Sequence, residues 1–351
     1  MSKNTKYQAL RSYFSGILTR YYYKNHRSIL VPFDHQSIGG PATFLKHLKF
    51  GLEAGDYEHT VDYFSNYDRI FFPIEYAPDR LDKLKSRGVK IIQRLDGVYY
   101  PSKSGPEADY LNRNILKIYR DLADGIVFQS KYSELQCKEV LGSPTTNNIY
   151  QIFNGTDLSI FKPNSSYERN NSDQWKFITT GNFRDFSMIE PLVMALDDLA
   201  RGGVDFQLLC VGPITNEEIQ SHFDRDYIKH SETSDMQVLA DELRESDIFL
   251  YSHVNPPCPN SVIEAIACAL PVVGFNSGAM NELCSFNTEL LAYVSDEVLH
   301  EYQDFRYELL FDKIKLCISN FDSFKNRSLE NWKNYDREGM IHEYMNLFDN
   351  F

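Results

Sequence analysis

Short apolar runs recur through the first half of the chain at strand length: SILVPF (28–33), RIFFPI (69–74), KIIQRLDG (90–97), GIVFQS (125–130) and NIYQIFN (148–154). Between them the apolar residues change to a three- and four-residue spacing, in ATFLKHLKFGLEA (42–54), PDRLDKLKSR (78–87), ADYLNRNILKIYRDLAD (108–124) and YSELQCKEVLG (132–142). Alternating strand and helix signals of this kind predict a parallel sheet with helices on both faces. The stretch PNSSYERNNSDQ (163–174) has no apolar period and reads as a linker. After it the alternation restarts. WKFITTG (175–181), FQLLCVG (206–212), DIFLYSHV (247–254) and ALPVVGFN (269–276) are the expected strands, and SMIEPLVMALDDLA (187–200), MQVLADELRES (236–246) and SVIEAIACA (261–269) the expected helices. Residues 297–349 read as helical throughout. Two α/β units joined by a linker make a cleft, and in open parallel sheets ligands bind beyond the carboxyl ends of the strands.

A chain of 351 residues fits this two-domain reading. No apolar run reaches the 18 residues of a spanning helix, and no charged-then-apolar leader opens the chain, which argues for a cytoplasmic protein. The six cysteines form no C-x-x-C pair and mostly sit in apolar runs, so reduced, buried thiols are expected. Sequons such as Asn164-Ser-Ser then have no role.

The net charge of −13 argues against bulk contact with nucleic acid. It is unevenly spread, because residues 1–27 hold six bases (Lys3, Lys6, Arg11, Arg20, Lys24, Arg27) and no acid. Leu10, Phe14, Ile17, Leu18, Tyr21 and Tyr22 fall on one helical stripe in the same segment. Two readings stay open: an interfacial helix at the inner face of an anionic membrane, or a helix packed on its own domain.

The most informative segment is NPPCPNSVIEAIACALPVVGFNSGAMNEL (255–283). It predicts a proline-rich turn, a helix opening at Asn260-Ser261, a strand at 271–276 and a second short helix. The N–H groups and dipole at a helix start suit a diphosphate. Glu264, one turn in, is placed to take both hydroxyls of a ribose. Ser261-x-x-Glu264 also spells a capping box, in which Glu264 only satisfies a backbone N–H.

IEAIACALPVV resembles the second half of the donor-binding signature of retaining glycosyltransferases of the GT-B fold, in particular glycosyltransferase family 4. DGIVFQSKYSELQCKEVLG, YQIFNGTDLSIFKP and IGGPATFLKHL resemble further stretches of that family in the right order, so the resemblance runs over residues 28–295. It implies two Rossmann-like domains with parallel sheets facing a cleft and a last helix that returns to the first domain. The implied limits are 1–27 for the basic amphipathic helix, 28–162 for the acceptor domain, 163–330 for the donor domain and 331–351 for the returning helix. It also implies a nucleotide-diphosphate sugar as co-substrate, a saccharide or lipid-linked acceptor, and no metal or other cofactor.

The sequence departs from the family in places. The position eight before Glu264 is Pro256, where the family has a second glutamate. After the first strand of the second half the family carries an Arg and a Lys that neutralise the diphosphate. Asn182 and Ser187 stand there instead, and Arg184 is the nearby cation, able to grip phosphate bidentately or to sit solvated.

Gly39-Gly40 before Pro41 allow close backbone approach to a ligand at a helix start, or only a tight turn. At the end of KIIQRLDG, where the family often has a histidine, stand Arg94 and Asp96. Asp96 can orient an acceptor hydroxyl or take its proton, or simply make an Asp-Gly turn. Ser130 reads as a helix cap, and Asn154-Gly155-Thr156-Asp157 as a turn or a hinge element lining the cleft. Asp224-Arg225-Asp226 lies in a polar region and reads as surface. No G-x-S-x-G, P-loop, G-x-G-x-x-G or histidine ligand cluster occurs.

The expected function is retaining glycosyl transfer in cell-surface polysaccharide or glycolipid synthesis. The donor would be held by Gly39, Gly40, Arg184, Asn260, Ser261 and Glu264, with Arg94 and Asp96 at the chemistry. A sugar-nucleotide epimerase or phosphorylase, and a non-catalytic sugar-binding subunit, are the alternatives.

Overall fold

The computed structural model describes residues 27–32, 40–55, 57–164, 169, 174–294 and 306–351. They form two compact units. One holds the residues up to Phe153 together with Glu338–Phe351, the other Asn154–Arg337.

The first unit is built on a six-stranded sheet of order β2-β1-β3-β4-β5-β6. Its strands are β1 (Arg27–Leu30), β2 (Tyr57–Thr60), β3 (Arg69–Pro73), β4 (Lys90–Leu95), β5 (Gly125–Phe128) and β6 (Ile149–Gln151), all pairing in parallel. Its helices are α1 (Gly40–Ala54), α2 (Pro78–Ser86), α3 (Pro101–Ser104), α4 (Ala108–Lys117), which widens into a π-helical turn over Ile118–Leu122, and α5 (Lys131–Leu141). Both faces of the sheet are buried, so successive residues of a strand serve different cores. Ile29, Phe71, Ile92 and Val127 face Phe44 and Leu48 of α1, while Leu30, Ile70, Phe72 and Ile91 face Leu81 and Leu84 of α2.

The second unit repeats the plan with order β12-β11-β10-β7-β8-β9. In chain order it runs β7 (Trp175–Thr180), α6 (Glu190–Arg201), β8 (Phe206–Val211), β9 (Ile228–Ser231), α7 (Met236–Arg244), β10 (Ile248–Tyr251), α8 (Asn260–Ala267), β11 (Val272–Asn276), α9 (Met280–Leu283), β12 (Leu291–Tyr293), α10 (Tyr307–Ser319) and α11 (Phe321–Asn331). Again every strand pairing is parallel. Phe177, Leu208, Leu250 and Phe275 form one core with Leu192 and Leu196 of α6 and Leu310 and Ile314 of α10.

The last helix, α12 (Arg337–Asp349), packs on the first sheet. The Tyr344 ring lies 5.2 Å from that of Phe44, and the Phe348 ring 5.5 Å from that of Phe71. Arg69 Nη1 donates to the Phe348 carbonyl, and Tyr57 Oη to Asp349. A Cβ on Gly51 would lie 2.3 Å from Ile341 Cγ2, so glycine lets α1 and α12 touch.

The units divide at 153/154 and 337/338, against 162/163 and 330/331 in the sequence reading. The residues after Asn154 are tied into the second unit. Phe161 is fully buried, and Arg244 donates 2.8 Å to the Ile160 carbonyl. The helical reading of 297–349 is corrected between α11 and α12. There Asp336 pairs as an extended residue with Thr156, which ends helical geometry. Residues 295–305, most of the expected linker and residues 1–26 of the basic segment lie outside the described residues. All six cysteines are buried thiols outside any disulfide.

Candidate functional site

Helix α8 begins where the notable segment places it, at Asn260, but the capping box does not form. Pro259 occupies the N-cap position and has no side chain able to cap. The first turn-closing bond runs from the Ile263 N–H to the Pro259 carbonyl at 3.3 Å. The N–H groups of Asn260, Ser261 and Val262 therefore find no acceptor among the described residues. Three orphan donors at the positive end of a helix form an anion-binding arrangement.

Glu264 lies four residues after Asn260, on the same helical face. Its carboxylate takes no hydrogen bond or ion pair among the described residues. The residue keeps partial exposure, yet the protein around the carboxyl pushes its pKa from an ordinary 4.5 up to about 8, with burial the sole cause.

The loop leading into α8 is tightly held. Asn255 has a left-handed backbone (φ 54°), and its N–H donates 2.9 Å to Ser277 Oγ. The Ala279 N–H donates 2.9 Å to the Pro256 carbonyl. Pro256 is buried against Gly278, where a Cβ would come within 2.4 Å of the proline ring. The family's second carboxylate position is thus a packed imide ring. From the other side Asn154 grips the loop, its Nδ2 donating to the Cys258 carbonyl at 3.1 Å and to Asn260 Oδ1 at 2.8 Å.

Arg184 follows β7. Its main chain is stapled to the loop after β8. Phe183 N–H donates to the Pro213 carbonyl at 2.9 Å, Thr215 N–H to the Phe183 carbonyl at 2.8 Å, and Asn216 Nδ2 to the Arg184 carbonyl at 3.2 Å. The Arg184 side chain is exposed and has no ion-pair partner among the described residues. Its charge reaches the Tyr251 hydroxyl at the end of β10: burial drives that phenol pKa upward and Arg184 is the main opposing influence. Arg184 and α8 therefore share the carboxyl edge of the second sheet. Asn182 and Ser187, which stand where the family has cations, are engaged with Thr215 and Asp185.

In the first unit Arg94 and Asp96 stand at the carboxyl end of β4, paired to each other through Arg94 Nη1 and Asp96 Oδ1. Burial pushes the Asp96 carboxyl above its ordinary range, against the pull of Arg94 and a hydrogen bond from Gln129. Asn112 clamps the following loop, accepting from Tyr99 N–H at 3.0 Å and donating to the Tyr99 carbonyl at 2.7 Å. Gly40 is the first residue of α1, and Gly39 lies outside the described residues. Ser130 caps α5, its Oγ accepting from Ser133 N–H at 2.9 Å. Asp224 and Asp226 are exposed, and Arg225 between them pairs with Asp197.

The bonds from Asn154 and Asn112 are the site features that sequence reasoning missed. The N-G-T-D stretch was the available signal for the first.

Residues 175–301 match the family described as Glycosyl transferases group 1. A comparison with curated proteins returns no match. Among solved structures, sucrose-phosphate synthase from Thermosynechococcus elongatus is similar with a TM-score of 0.74 at 15% identity, covering 93% of this chain and 99% of that one. HepE from Anabaena, solved in complex with UDP, gives 0.69 at 13% identity, with 93% and 100% covered. A glycosyltransferase from Rickettsia africae gives 0.64 at 16%, with 93% and 98% covered. The two parallel six-stranded sheets, the returning helix and these likenesses agree: the chain has the GT-B fold, and its second unit carries, over residues 175–301, a group 1 glycosyl transferase domain.

Proposed function

We propose that the protein transfers a glycosyl group, with retention of configuration, from a nucleoside-diphosphate sugar to a saccharide or lipid-linked acceptor. The observation that carries this reading is the start of α8, where three N–H groups without an acceptor among the described residues precede, by one turn, a carboxylate without a partner among them. The N–H groups and Arg184 take the diphosphate, and Glu264 takes the ribose hydroxyls. As the bond from the anomeric carbon to the phosphate oxygen breaks, charge builds on the diphosphate, where these donors already point. The acceptor oxygen bonds to the anomeric carbon on the same face, and its proton passes to the departing phosphate. No enzymic nucleophile is required. Arg94 and Asp96 belong to the acceptor side in this reading, with Asp96 orienting the acceptor hydroxyl.

UDP is the first nucleotide to test, since it is present in the structures of HepE and of the pneumococcal O-GlcNAc transferase GtfA. A thermal-shift screen of nucleoside diphosphates and their sugars should show stabilisation. A ligand at 100 times its Kd adds about 2.7 kcal/mol. No shift with any of them defeats the reading.

Pro256 favours one second reading, a sugar-nucleotide-binding subunit without transferase activity, since the donor-side carboxylate is replaced by a packed ring. Donor binding without transfer to any acceptor would decide for it. Among the described residues no helix is long and apolar enough to cross a membrane. The basic segment 1–27 is proposed to rest on an anionic surface, as in glycolipid synthesis. Its removal should abolish binding to anionic vesicles, and unchanged binding defeats that proposal.

A further inference from the structure

Asn154 and Asn260 form a directed pair. The Cys258 carbonyl can only accept, so the Asn154 carboxamide turns its nitrogen towards it, at 3.1 Å. The second hydrogen of that nitrogen meets Asn260 at 2.8 Å. Only an acceptor can face it, so Asn260 turns Oδ1 inward. Its Nδ2, with two N–H donors, is left on the side away from Asn154, and no acceptor among the described residues takes it. Asn154 is buried, and its main-chain N–H is anchored to Cys258 Sγ at 3.4 Å.

We propose that Asn154 is a positioning residue that holds the Asn260 carboxamide nitrogen-outward, making Asn260 a neutral donor to the diphosphate of the nucleotide sugar. The proposal rests on the reading of the start of α8 as the diphosphate site. A carboxamide on its own is ambivalent: a half-turn presents its oxygen, which repels phosphate. Fixing it by one hydrogen bond adds donors beside the orphan N–H groups without adding a charge. Asn154 is also the first residue of the second unit, so the point of chain entry sets the polarity of the helix start.

The test is titration calorimetry on the full chain, with uridine and a panel of UDP, GDP, ADP, CDP and TDP. The diphosphate bound most tightly by the wild type is carried forward with its own nucleoside. Asn154→Asp offers only acceptors, so Asn260 must turn its nitrogen inward. The diphosphate Kd should rise about tenfold or more, the loss of a charge-assisted bond, while the nucleoside Kd stays put. In an Asn260→Ala background the same Asn154→Asp change should cost less than about twofold, because there is no carboxamide left to orient. An equal loss in both backgrounds would mean plain charge repulsion and overturns the proposal. So does a parallel loss of diphosphate and nucleoside, which is the mark of a loop prop. Should Asn154→Asp fail to fold, Asn260→Asp keeps the acceptor facing Asn154 and puts an oxygen outward. It must show the same selective loss, and unchanged diphosphate affinity overturns the proposal. Absence of binding to every diphosphate by the wild type defeats the donor-site reading and this proposal together. Binding with no selective variant effect defeats this proposal alone.

Discussion

The guanidinium carbon of Arg94 lies 3.7 Å from the centre of the Phe44 ring, while its Nη1 pairs with Asp96. The Arg94 and Asp96 side chains are 1% and 7% exposed, which makes this a desolvated ion pair. Removing one partner of such a pair strands the other, at a cost of about 3–5 kcal/mol. Arg94→Leu should therefore lower urea-unfolding stability by that amount, and adding Asp96→Leu should recover most of it. A loss below about 1 kcal/mol for the single variant would show that the pair is not desolvated in solution. Asp96→Asn tests the chemical role, since it keeps an acceptor for Arg94 while weakening the hold on an acceptor hydroxyl. Turnover should fall further than stability.

Glu264 supplies a pH dependence with a definite sign. Its pKa is raised from 4.5 to about 8 in the folded chain, so the folded state keeps a proton that the unfolded state releases. The associated stability is fully present below pH 4.5 and drains away as pH rises to about 8, with a slope of at most about 1.4 kcal/mol per pH unit. Glu264→Gln should flatten that slope and leave the variant more stable than wild type at pH 8–9. Ribose hydroxyls favour the ionised form, so nucleotide binding should release a proton near neutral pH, seen as a buffer-dependent binding enthalpy. A wild-type stability profile that is level across this window would rule out the raised pKa.

Arg184 separates binding from folding. Its side chain is exposed and has no ion-pair partner among the described residues, while its main chain is stapled. Arg184→Gln should leave stability within about 0.5 kcal/mol of wild type. It should weaken nucleoside-diphosphate binding about ten- to a hundredfold, the range of a lost charge-assisted hydrogen bond. Arg184→Lys should recover part of the loss, because a point charge replaces a fork. Equal affinity for wild type and Arg184→Gln would remove Arg184 from the site.

Much of this was legible in the sequence. The central strands are continuous apolar runs, because both faces of each sheet are covered, and runs such as RIFFPI and DIFLYSHV announce themselves. Strands β2 (YEHT), β9 (IKHS) and β12 (LAY) did not. All three are edge strands of three or four residues, too short or too polar to show a period. The start of α8 was legible to within a residue, but its cap was not. Ser261 and Glu264 have the spacing of a capping box, but Pro259, two residues before that serine, takes the N-cap position and its fixed φ starts the helix at Asn260. Carboxamide orientation, as at Asn154 and Asn260, has no one-dimensional signature, because it depends on a carbonyl more than a hundred residues away.

Gly212 carries the last expectation. Its φ is 128°, and a Cβ there would lie 2.0 Å from the Gly181 carbonyl oxygen, so β7 and β8 leave the sheet in backbone contact. That contact sets the loop whose bonds hold Arg184. Gly203 is the control: its φ is also positive, at 77°, but nothing lies within 4 Å of its would-be Cβ. Gly203→Ala should cost only the left-handed backbone penalty, about 1–2 kcal/mol, with nucleotide affinity unchanged. Gly212→Ala must add displacement of the Gly181 backbone to that penalty. It should cost clearly more in unfolding stability and also weaken nucleotide binding, since the staple around Arg184 shifts with it. Equal losses for the two variants would mean that the β7 and β8 loops part freely, and that the position of Arg184 is not fixed by their contact.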